Sequence, residues 1–245
     1  NKEKICYTDI EVEKMRGKII VIEGTDCSGK ETQSRLLEKK LNDCGKKTKR
    51  ISFPMYETPT GKIIGSCLLG KPEICKEILT QNHSLFKEGG GNIDSLTAIM
   101  YYAADRRYNL PIINKYLDEG YNLIIDRYVP SNMAHRGGLI LNANERKKIY
   151  KKIDMLEYTI NELPRPDKII LLYLPYEKAC ELKKNRDELP DEVESNVEYL
   201  KRSEKAYLEL SDIYNYDMIK CTNEKNIRTI EDINKELYEK VITIL

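Results

Sequence analysis

The chain has 245 residues, of which 40% are hydrophobic and 33% are charged. Its length suits one α/β domain with a sizeable buried core. The 41 lysines and arginines nearly balance 40 aspartates and glutamates, which leaves a formal net charge of +1 at pH 7. This balance excludes a global basic field of the kind that attracts nucleic acid or anionic membranes, so we expect neither as a partner.

The cysteines and the apolar runs indicate the cellular compartment in which the chain is expected. Histidine occurs only twice, and no C-x-x-C pair occurs among the seven cysteines, which are Cys6, Cys27, Cys44, Cys67, Cys75, Cys180 and Cys221. An odd and widely spaced set argues against a disulfide framework and against a zinc site. The first residues lack the apolar core of a signal peptide, and no apolar run approaches the length of a membrane span. We therefore expect a cytoplasmic protein with reduced thiols and no membrane partner.

Strands alternate with helices along most of the chain. Strands are predicted at 18–23, 48–53, 121–126, 168–174 and 218–221. Helices are predicted at 30–43, 57–69, 94–118 with a kink at Pro111, 142–163, 177–184, 193–214 and from 227 onwards. This alternation predicts a doubly wound parallel sheet of about five strands with helices on both faces. Its ligand site should lie at the carboxyl ends of the strands.

Three segments depart from this alternation. Residues 1–16 are charged and show no clear period, so we expect an N-terminal extension before a single domain at 17–245. Residues 70–92 contain three consecutive glycines at 89–91 and are predicted to form a surface insertion. Residues 183–194 are charged and poor in large apolar side chains, as is typical of a mobile lid.

A glycine-rich loop follows the first predicted strand. It nearly fits G-x-x-x-x-G-K-[ST], with Gly24, Gly29 and Lys30 in place. Glycines let successive backbone N–H groups surround the phosphate oxygens, and the lysine adds a positive charge. The following helix points its positive dipole end at the same anion. An ordinary strand–turn–helix connection is the alternative. The predicted phosphate-binding residues are Gly24, Ser28, Gly29, Lys30, Glu31 and Thr32.

The misfit in this loop is Glu31, which stands where the pattern has a Mg²⁺-binding hydroxyl. Thr32 follows directly and could serve instead. Asp126 ends a predicted buried strand, from which a carboxylate can anchor Mg²⁺ through water beside a phosphate loop. The sequence therefore predicts a magnesium site that uses Thr32 and Asp126, directly or through water.

Two further clusters combine charge with aromatic rings. Arg127 follows Asp126 and could form a fork to a phosphate, although a strand-end salt bridge would also explain the pair. Tyr102 and Arg106 are four residues apart and share one helix face, which suits a base next to a phosphate. The alternative for this second pair is core packing beside a solvated charge.

Four motifs together are more specific than the phosphate loop, which many kinases and GTPases share. They are I-E-G-T-D-C-S-G-K-E-T-Q at 22–33, Phe53-Pro54-Met55-Tyr56, Ala104-Asp105-Arg106, and Asp126-Arg127-Tyr128 with Ser131-Asn132-Met133-Ala134. In this combination the chain resembles the thymidylate kinases, of the P-loop nucleoside-monophosphate kinase group, from about residue 17 to its C-terminus.

The resemblance implies a role for each matching position. Phe53 and Tyr102 would flank the thymine ring, and Arg106 and Arg127 would hold the base and phosphate of the acceptor. The implied dTMP-binding residues are Asp26, Phe53, Tyr56, Tyr102, Arg106, Arg127, Asn132, His135 and Arg136. The implied catalytic residues are Lys30, Asp26, Arg127 and Arg186.

Three positions depart from the family pattern. His135 replaces a tyrosine that many members place against the deoxyribose, and Arg136 stands where glutamine is frequent in bacterial relatives. Some members carry a catalytic arginine in the phosphate loop, at the position of Cys27 here. The arginine is therefore expected from the lid, where Arg186 is the candidate.

The activity that the resemblance implies is transfer of the ATP γ-phosphoryl group to dTMP to give dTDP, with Mg²⁺, in a homodimer. Phosphoryl transfer needs in-line alignment and neutralised charge, which explains a candidate set of arginines, one lysine and a carboxylate. Another nucleotide or deoxynucleoside kinase remains an alternative. A nucleotide-binding regulator without turnover is a third hypothesis, motivated by Glu31.

Overall fold

The computed structural model describes residues 16–25, 27–78, 84–183, 197–224 and 226–245. In these ranges five parallel strands form one sheet in the order β2-β3-β1-β4-β5. The strands are β1 Ile19–Gly24, β2 Thr48–Ser52, β3 Asn122–Asp126, β4 Lys168–Tyr173 and β5 Asp217–Lys220. The prediction of a doubly wound parallel sheet with about five strands is confirmed.

Helices connect the strands and cover both faces of the sheet. They are α1 Lys30–Asp43, α2 Pro59–Ile63, α3 Ser95–Tyr108, α4 Leu110–Asp118, α5 Val129–Gly137, α6 Ala143–Asp154, α7 Tyr176–Lys183, α8 Val197–Tyr214 and α9 Ile230–Ile242. No helix in the described part of the chain has both the length and the apolar character to cross a membrane.

Strand β1 lies at the centre of the sheet, between β3 and β4. Val21 belongs to one hydrophobic cluster, whereas Ile20 and Ile22 belong to a second cluster on the opposite face. All three side chains are fully buried. Because successive residues of a strand point to opposite faces, the continuous apolar run of β1 is what a sheet covered on both sides requires.

The predicted kink at Pro111 is wrong, since the helix at 94–118 breaks two residues earlier. Helix α3 ends at Tyr108 and α4 begins at Leu110, so Pro111 lies in the first turn of α4. A proline there loses no helical hydrogen bond. The break occurs at Asn109, whose Nδ2 donates to the main-chain oxygen of Asp105 at 2.8 Å.

Helix α5 follows β3 and was not predicted from the sequence. Pro130 lies in its first turn, and Gly137 ends it. A side chain at Gly137 would bring its Cβ within 2.3 Å of the Tyr150 ring, and one at Gly138 would approach the Arg202 carbonyl at 3.0 Å. In the sequence these two glycines are typical of a loop. In the structure they let α6 and α8 pack closely against the end of α5.

Two helices continue into π-helical turns. The helix predicted at 57–69 is α2 followed by the π-helical segment Ile64–Leu68, and the helix predicted at 142–163 is α6 followed by Met155–Ile160. Such turns often occur at functional sites because the extra residue redirects side chains. The second turn places Glu157 in the protein interior, where its side chain is fully buried.

The segment at 70–92 packs against the domain more closely than a surface insertion would. Phe86 meets Tyr101 of α3 edge to face, with ring centroids 6.0 Å apart. Gly90 lies so close to the Leu68 carbonyl that an added Cβ would be 1.7 Å from its oxygen. Phe86 therefore connects this segment to a small core that it shares with α3.

Candidate active site

The loop between β1 and α1 is fixed at its start and shaped by two left-handed residues. The Thr25 hydroxyl donates to the Leu174 carbonyl at 2.7 Å and accepts from the Leu174 N–H at 3.0 Å. Cys27 has φ 57° and Gly29 has φ 78°. Left-handed residues in a loop turn successive N–H groups to one side, which forms an anion-binding concavity.

Polar groups converge inside this loop. Lys30 is buried, and its Nζ donates to the carbonyls of Gly24 and Thr25 at 2.9 Å each. The buried Ser28 hydroxyl has no hydrogen-bond partner among the described residues. An ammonium, an unsatisfied hydroxyl and the N–H groups at the start of α1 together suit a phosphate. Asp26, predicted to act here, lies outside the described residues.

Glu31 does not direct its side chain to this concavity. Its carboxylate accepts from Arg35 Nη2 at 2.8 Å and from Arg35 Nε at 3.1 Å on the exposed surface of α1. The hydrogen bond from Arg35 lowers the pKa of Glu31. Thr32 is also exposed. Any contribution of these two residues to phosphate binding would come from their backbone N–H groups at the start of α1. This contribution and the predicted Mg²⁺ contact of Thr32 stay predictions.

Asp126 ends β3 and forms an ion pair that the sequence did not predict. Its Oδ2 accepts from Arg50 Nη2 at 2.6 Å and from the Ser34 hydroxyl at 3.4 Å. Arg50 Nε also donates to the Ser34 hydroxyl at 2.7 Å. Both charged side chains are about 90% buried, so Arg50 neutralises a carboxylate that water hardly reaches.

The residues near Asp126 fit a hydrated Mg²⁺. Asp126 Oδ1 has no hydrogen-bond donor within the described ranges, so one hard oxygen remains for an ion or its water. Mg²⁺ usually keeps several waters and binds one or two carboxylates together with substrate phosphates. No group of three or more His, Cys, Asp or Glu side chains in the described part of the chain could form a complete protein cage.

Glu23, at the end of β1, joins three elements through its buried carboxylate. Oε1 accepts from the N–H groups of Tyr128 and Ser131, at 2.8 and 3.1 Å, and Oε2 accepts from the Ser131 and Tyr207 hydroxyls, at 2.7 and 3.0 Å. Burial raises the pKa of Glu23, although these hydrogen bonds and nearby cations oppose the shift. Glu23 therefore ties the phosphate loop to the start of α5 and to α8.

A cavity of about 220 Å³ opens at the carboxyl ends of β2 and β3, and its lining residue Ser131 is hydrogen-bonded to Glu23, which directly precedes the phosphate loop. It brings together every described residue that was predicted to bind dTMP, and Asp26 is the member of that set outside the described residues. The predicted residues that line the cavity are Phe53, Tyr56, Tyr102, Arg106, Arg127, Asn132, His135 and Arg136. This convergence supports one binding site but does not test the individual roles, which stay predictions.

The lining also contains residues that the sequence did not predict. Lys71 comes from the segment at 70–92 and adds a cation, and Tyr199 comes from α8. Among the described residues of the lining Asp105 is the acidic one, and it accepts from the Met55 N–H at 3.0 Å and the Thr60 hydroxyl at 2.7 Å. Among the described lining residues, four cations (Lys71, Arg106, Arg127 and Arg136) exceed this one carboxylate, so the cavity has an excess of positive charge that suits an anionic ligand.

Three buried polar atoms in this cavity lack a partner within the described part of the chain. They are Oδ1 of Asn132 and Nε and Nη1 of Arg136. Asn132 is 4% exposed and Arg136 is 2% exposed. A buried polar group without a hydrogen bond costs about 1–3 kcal/mol, so such atoms require a ligand or an ordered water as a partner. One acceptor and two donors would complement a ring edge with an N–H beside a carbonyl.

Arg106 and His135 line the cavity but also bind protein groups. Arg106 donates through Nε and Nη2 to Glu157, and its Nη1 lies 3.5 Å from the Tyr128 carbonyl oxygen. Burial lowers the pKa of the Arg106 guanidinium, but the negative charge and hydrogen bonds of Glu157 outweigh burial and raise it. His135 stacks on Tyr199 with centroids 5.8 Å apart, which connects α5 with α8.

The predicted lid lies mostly outside the described residues, and Arg186 lies outside them. Helix α7 ends at Lys183 and α8 begins at Val197, so the described chain flanks the predicted lid on both sides.

Comparisons with known proteins agree with this geometry. A family model described as thymidylate kinase matches residues 22–233. A probable thymidylate kinase of Methanocaldococcus jannaschii is 28% identical over 218 residues, which cover 89% of this chain and 92% of the relative. A thymidylate kinase of Prochlorococcus marinus (strain NATL2A) is 30% identical over 224 residues, 91% of this chain and 97% of the relative. A solved thymidylate kinase of Candida albicans aligns with a TM-score of 0.67 at 25% identity, covering 94% of this chain and 92% of that chain.

Proposed function

The chain belongs to the thymidylate kinase family, and on this premise we propose that it transfers the γ-phosphoryl group of ATP to dTMP to give dTDP. The observation that carries the proposal is that a phosphate loop and a cationic cavity both lie at the carboxyl ends of the strands and are connected through the hydrogen bond between Glu23 and Ser131. The loop suits the donor phosphates and the cavity suits the acceptor nucleotide.

The chemistry requires alignment and charge neutralisation more than a strong base. The attacking group is a phosphate oxygen, which is already largely ionised, so the chain need not remove a proton from it. Lys30 would sit between the donor and acceptor phosphates, and Arg127 would hold the acceptor phosphate in line. Closure over the donor would exclude water, and Arg186 would add a cation from the predicted lid.

The unpartnered atoms of the cavity support thymine as the base. Asn132 Oδ1 would accept the ring N3–H, and Arg136 would donate to a ring carbonyl. Cytosine presents an acceptor nitrogen at position 3, which would face the Asn132 oxygen without a hydrogen bond. Phe53 and Tyr102 would flank the ring, and the place of Asp26 near the sugar rests on the family resemblance.

Mg²⁺ would be held by Asp126 through water, together with the substrate phosphates. The ion supplies charge neutralisation on the donor phosphates.

The exposed pair of Glu31 with Arg35 gives no reason to favour a regulator without turnover, because the Glu31 carboxylate is held by its neighbour on the helix surface.

A homodimer belongs to the same proposal. Helix α3 exposes Leu96, Met100 and Tyr108 at helical spacing, and Met155 and Ile160 are exposed in the segment that contacts α3. Burial of these side chains between two copies would remove apolar surface from water.

We also propose that residues 17–245 act as one domain in the cytoplasm.

A substrate panel tests the activity. The full chain with Mg-ATP is expected to release ADP faster with dTMP than with dUMP, dCMP, dGMP or AMP. Lys30→Met provides the control, since it removes the ammonium from the loop and should abolish turnover. Absence of turnover with dTMP would overturn the proposal, and tight dTMP binding without ADP release would then favour a regulator. Faster turnover of another nucleotide would favour a different nucleotide kinase.

A further inference from the structure

We propose that Glu157 is a positioning residue that sets the base selectivity of the acceptor pocket by fixing the amide of Asn132. This inference rests on the proposed function, because it concerns how the same pocket distinguishes dTMP from dCMP. Glu157 is not part of the cavity lining, so it acts through the side chains that it holds.

Glu157 holds two lining residues that come from different helices. Its carboxylate accepts from Arg106 of α3 through both Nε, at 2.9 Å, and Nη2. Oε1 also accepts from Asn132 Nδ2 of α5 at 3.1 Å. Glu157 is fully buried and Arg106 is 3% exposed, so water does not compete for these contacts. A two-pronged pair with an arginine requires an ionised carboxylate, which only accepts hydrogen bonds.

The neighbours of the Asn132 amide determine how its two polar atoms are oriented. One atom lies 3.1 Å from Glu157 Oε1 and 3.2 Å from the main-chain oxygen of Ile99. Both neighbours are acceptors, so this atom must be the nitrogen, whose two hydrogens they satisfy. The oxygen then points away from Glu157, and it is the buried Oδ1 without a partner in the described ranges.

This orientation gives the pocket its preference for a ring N–H. A rotated amide would direct its nitrogen toward the base and its oxygen against Glu157. That arrangement would suit the N3 acceptor of cytosine, but it places two acceptors in contact in a dry interior. The Glu157 charge therefore prevents the amide rotation that would admit dCMP.

The test compares the kcat/KM ratio for dTMP over dCMP in the full chain and in Glu157→Gln. The introduced glutamine can turn its nitrogen toward Asn132, which removes one of the two acceptors that fix the amide. The Ile99 main-chain oxygen remains, so the present orientation is weakened rather than lost. The ratio is expected to fall by about tenfold, the scale of one hydrogen bond. Glu157→Asp keeps the charge but is one methylene shorter, so it cannot hold Arg106 and Asn132 together, and the same fall is expected.

Glu209→Gln is the matched control. Glu209 accepts from Arg146 at 2.5 and 3.2 Å and from the Tyr150 hydroxyl at 3.1 Å, so it has a similar bonding pattern outside the cavity. This variant should lose stability while the dTMP over dCMP ratio stays unchanged. An equal fall of the ratio in this control would overturn the inference, because general loosening would then explain the effect.

A second background tests whether Glu157 acts through Asn132. In Asn132→Ala the ratio should already be reduced, and addition of Glu157→Gln should change it no further. An additional tenfold fall in the double variant would refute the route through Asn132. An unchanged ratio in folded Glu157→Gln and Glu157→Asp, with dTMP turnover intact, would refute the inference alone. Lack of dTMP turnover in the unmodified chain would refute the proposed function.

Discussion

Replacement of Glu23 by alanine and by glutamine should have very different effects on stability. Glu23 is fully buried between the phosphate loop, the start of α5 and α8, and it accepts four hydrogen bonds. Alanine removes all four acceptor contacts, whereas glutamine keeps the shape and one carbonyl oxygen. The pair of variants separates the hydrogen bonds of Glu23 from its charge.

The magnitude follows from the identity of the donors. In Glu23→Ala the N–H groups of Tyr128 and Ser131 lose their acceptor, at about 1–3 kcal/mol each, which gives about 2–6 kcal/mol in total. The Ser131 and Tyr207 hydroxyls lie 3.1 Å apart and can bond each other. In Glu23→Gln the amide oxygen can still accept both N–H groups. The two hydroxyls can turn to accept from the amide nitrogen, so a loss of about 1 kcal/mol or less is expected.

The charge of Glu23 adds a pH dependence with a definite sign. Burial raises the pKa of Glu23 above the usual value of 4.5, so the folded chain binds a proton at Glu23 more tightly than the unfolded chain does. The corresponding stability is present below the unfolded pKa and is lost as the pH rises through the folded pKa. Glu23→Gln cannot ionise, so its stability relative to the unmodified chain should improve as the pH rises through that range.

Urea denaturation followed by circular dichroism measures these effects. The free energy of unfolding is compared for the three chains at several pH values, with the m-value as a check that the unfolding transition is unchanged. Equal losses in Glu23→Ala and Glu23→Gln would refute the importance of the two N–H groups. A relative stability of Glu23→Gln that decreases with rising pH would refute the pKa argument.

Two further predictions concern the metal site and the predicted lid. Arg50→Met should destabilise the chain by about 3–5 kcal/mol in urea denaturation, because Asp126 keeps a buried charge without its partner. Stability is expected to recover when Asp126→Asn is added. A double variant no more stable than Arg50→Met would contradict the ion-pair explanation. Arg186→Ala should lower kcat by about 10³-fold or more while the dissociation constant of dTMP hardly changes; an unchanged kcat would transfer the role to Arg202 or another group.

Local sequence patterns predicted many of the strands and helices, because the residues that determine each of these elements lie close together in the sequence. The apolar run of β1 and the strand–loop–helix order around Gly29 identified the centre of the sheet and the phosphate loop. Helix α5 was not predicted because Pro130 and Gly137 are loop signals in sequence, while their reason is the close approach of Tyr150 and α8. Such contacts come from distant parts of the chain and have no local signature.

The same distinction applies to the site. Motif positions correctly identified residues that meet at one cavity, since the motifs sit at strand ends and helix faces. The residues behind them were not identified. Glu157 lies 51 positions from Arg106, and it reaches the interior through a π-helical turn that periodicity does not indicate. Glu157 follows the highly charged helix α6, so the sequence alone does not show that its carboxylate is buried.

The positive charges of the acceptor cavity have a consequence for the speed of encounter. Lys71, Arg127 and Arg136 line one opening, although the chain as a whole carries a formal net charge of only +1. A concave, low-dielectric site with an excess of positive charge focuses field lines and accelerates the arrival of a doubly charged nucleotide. The association rate of dTMP should therefore fall steeply as salt shortens the Debye length from about 30 Å at 0.01 M to about 8 Å at 0.15 M. The dissociation rate, set by contacts inside the pocket, should change much less.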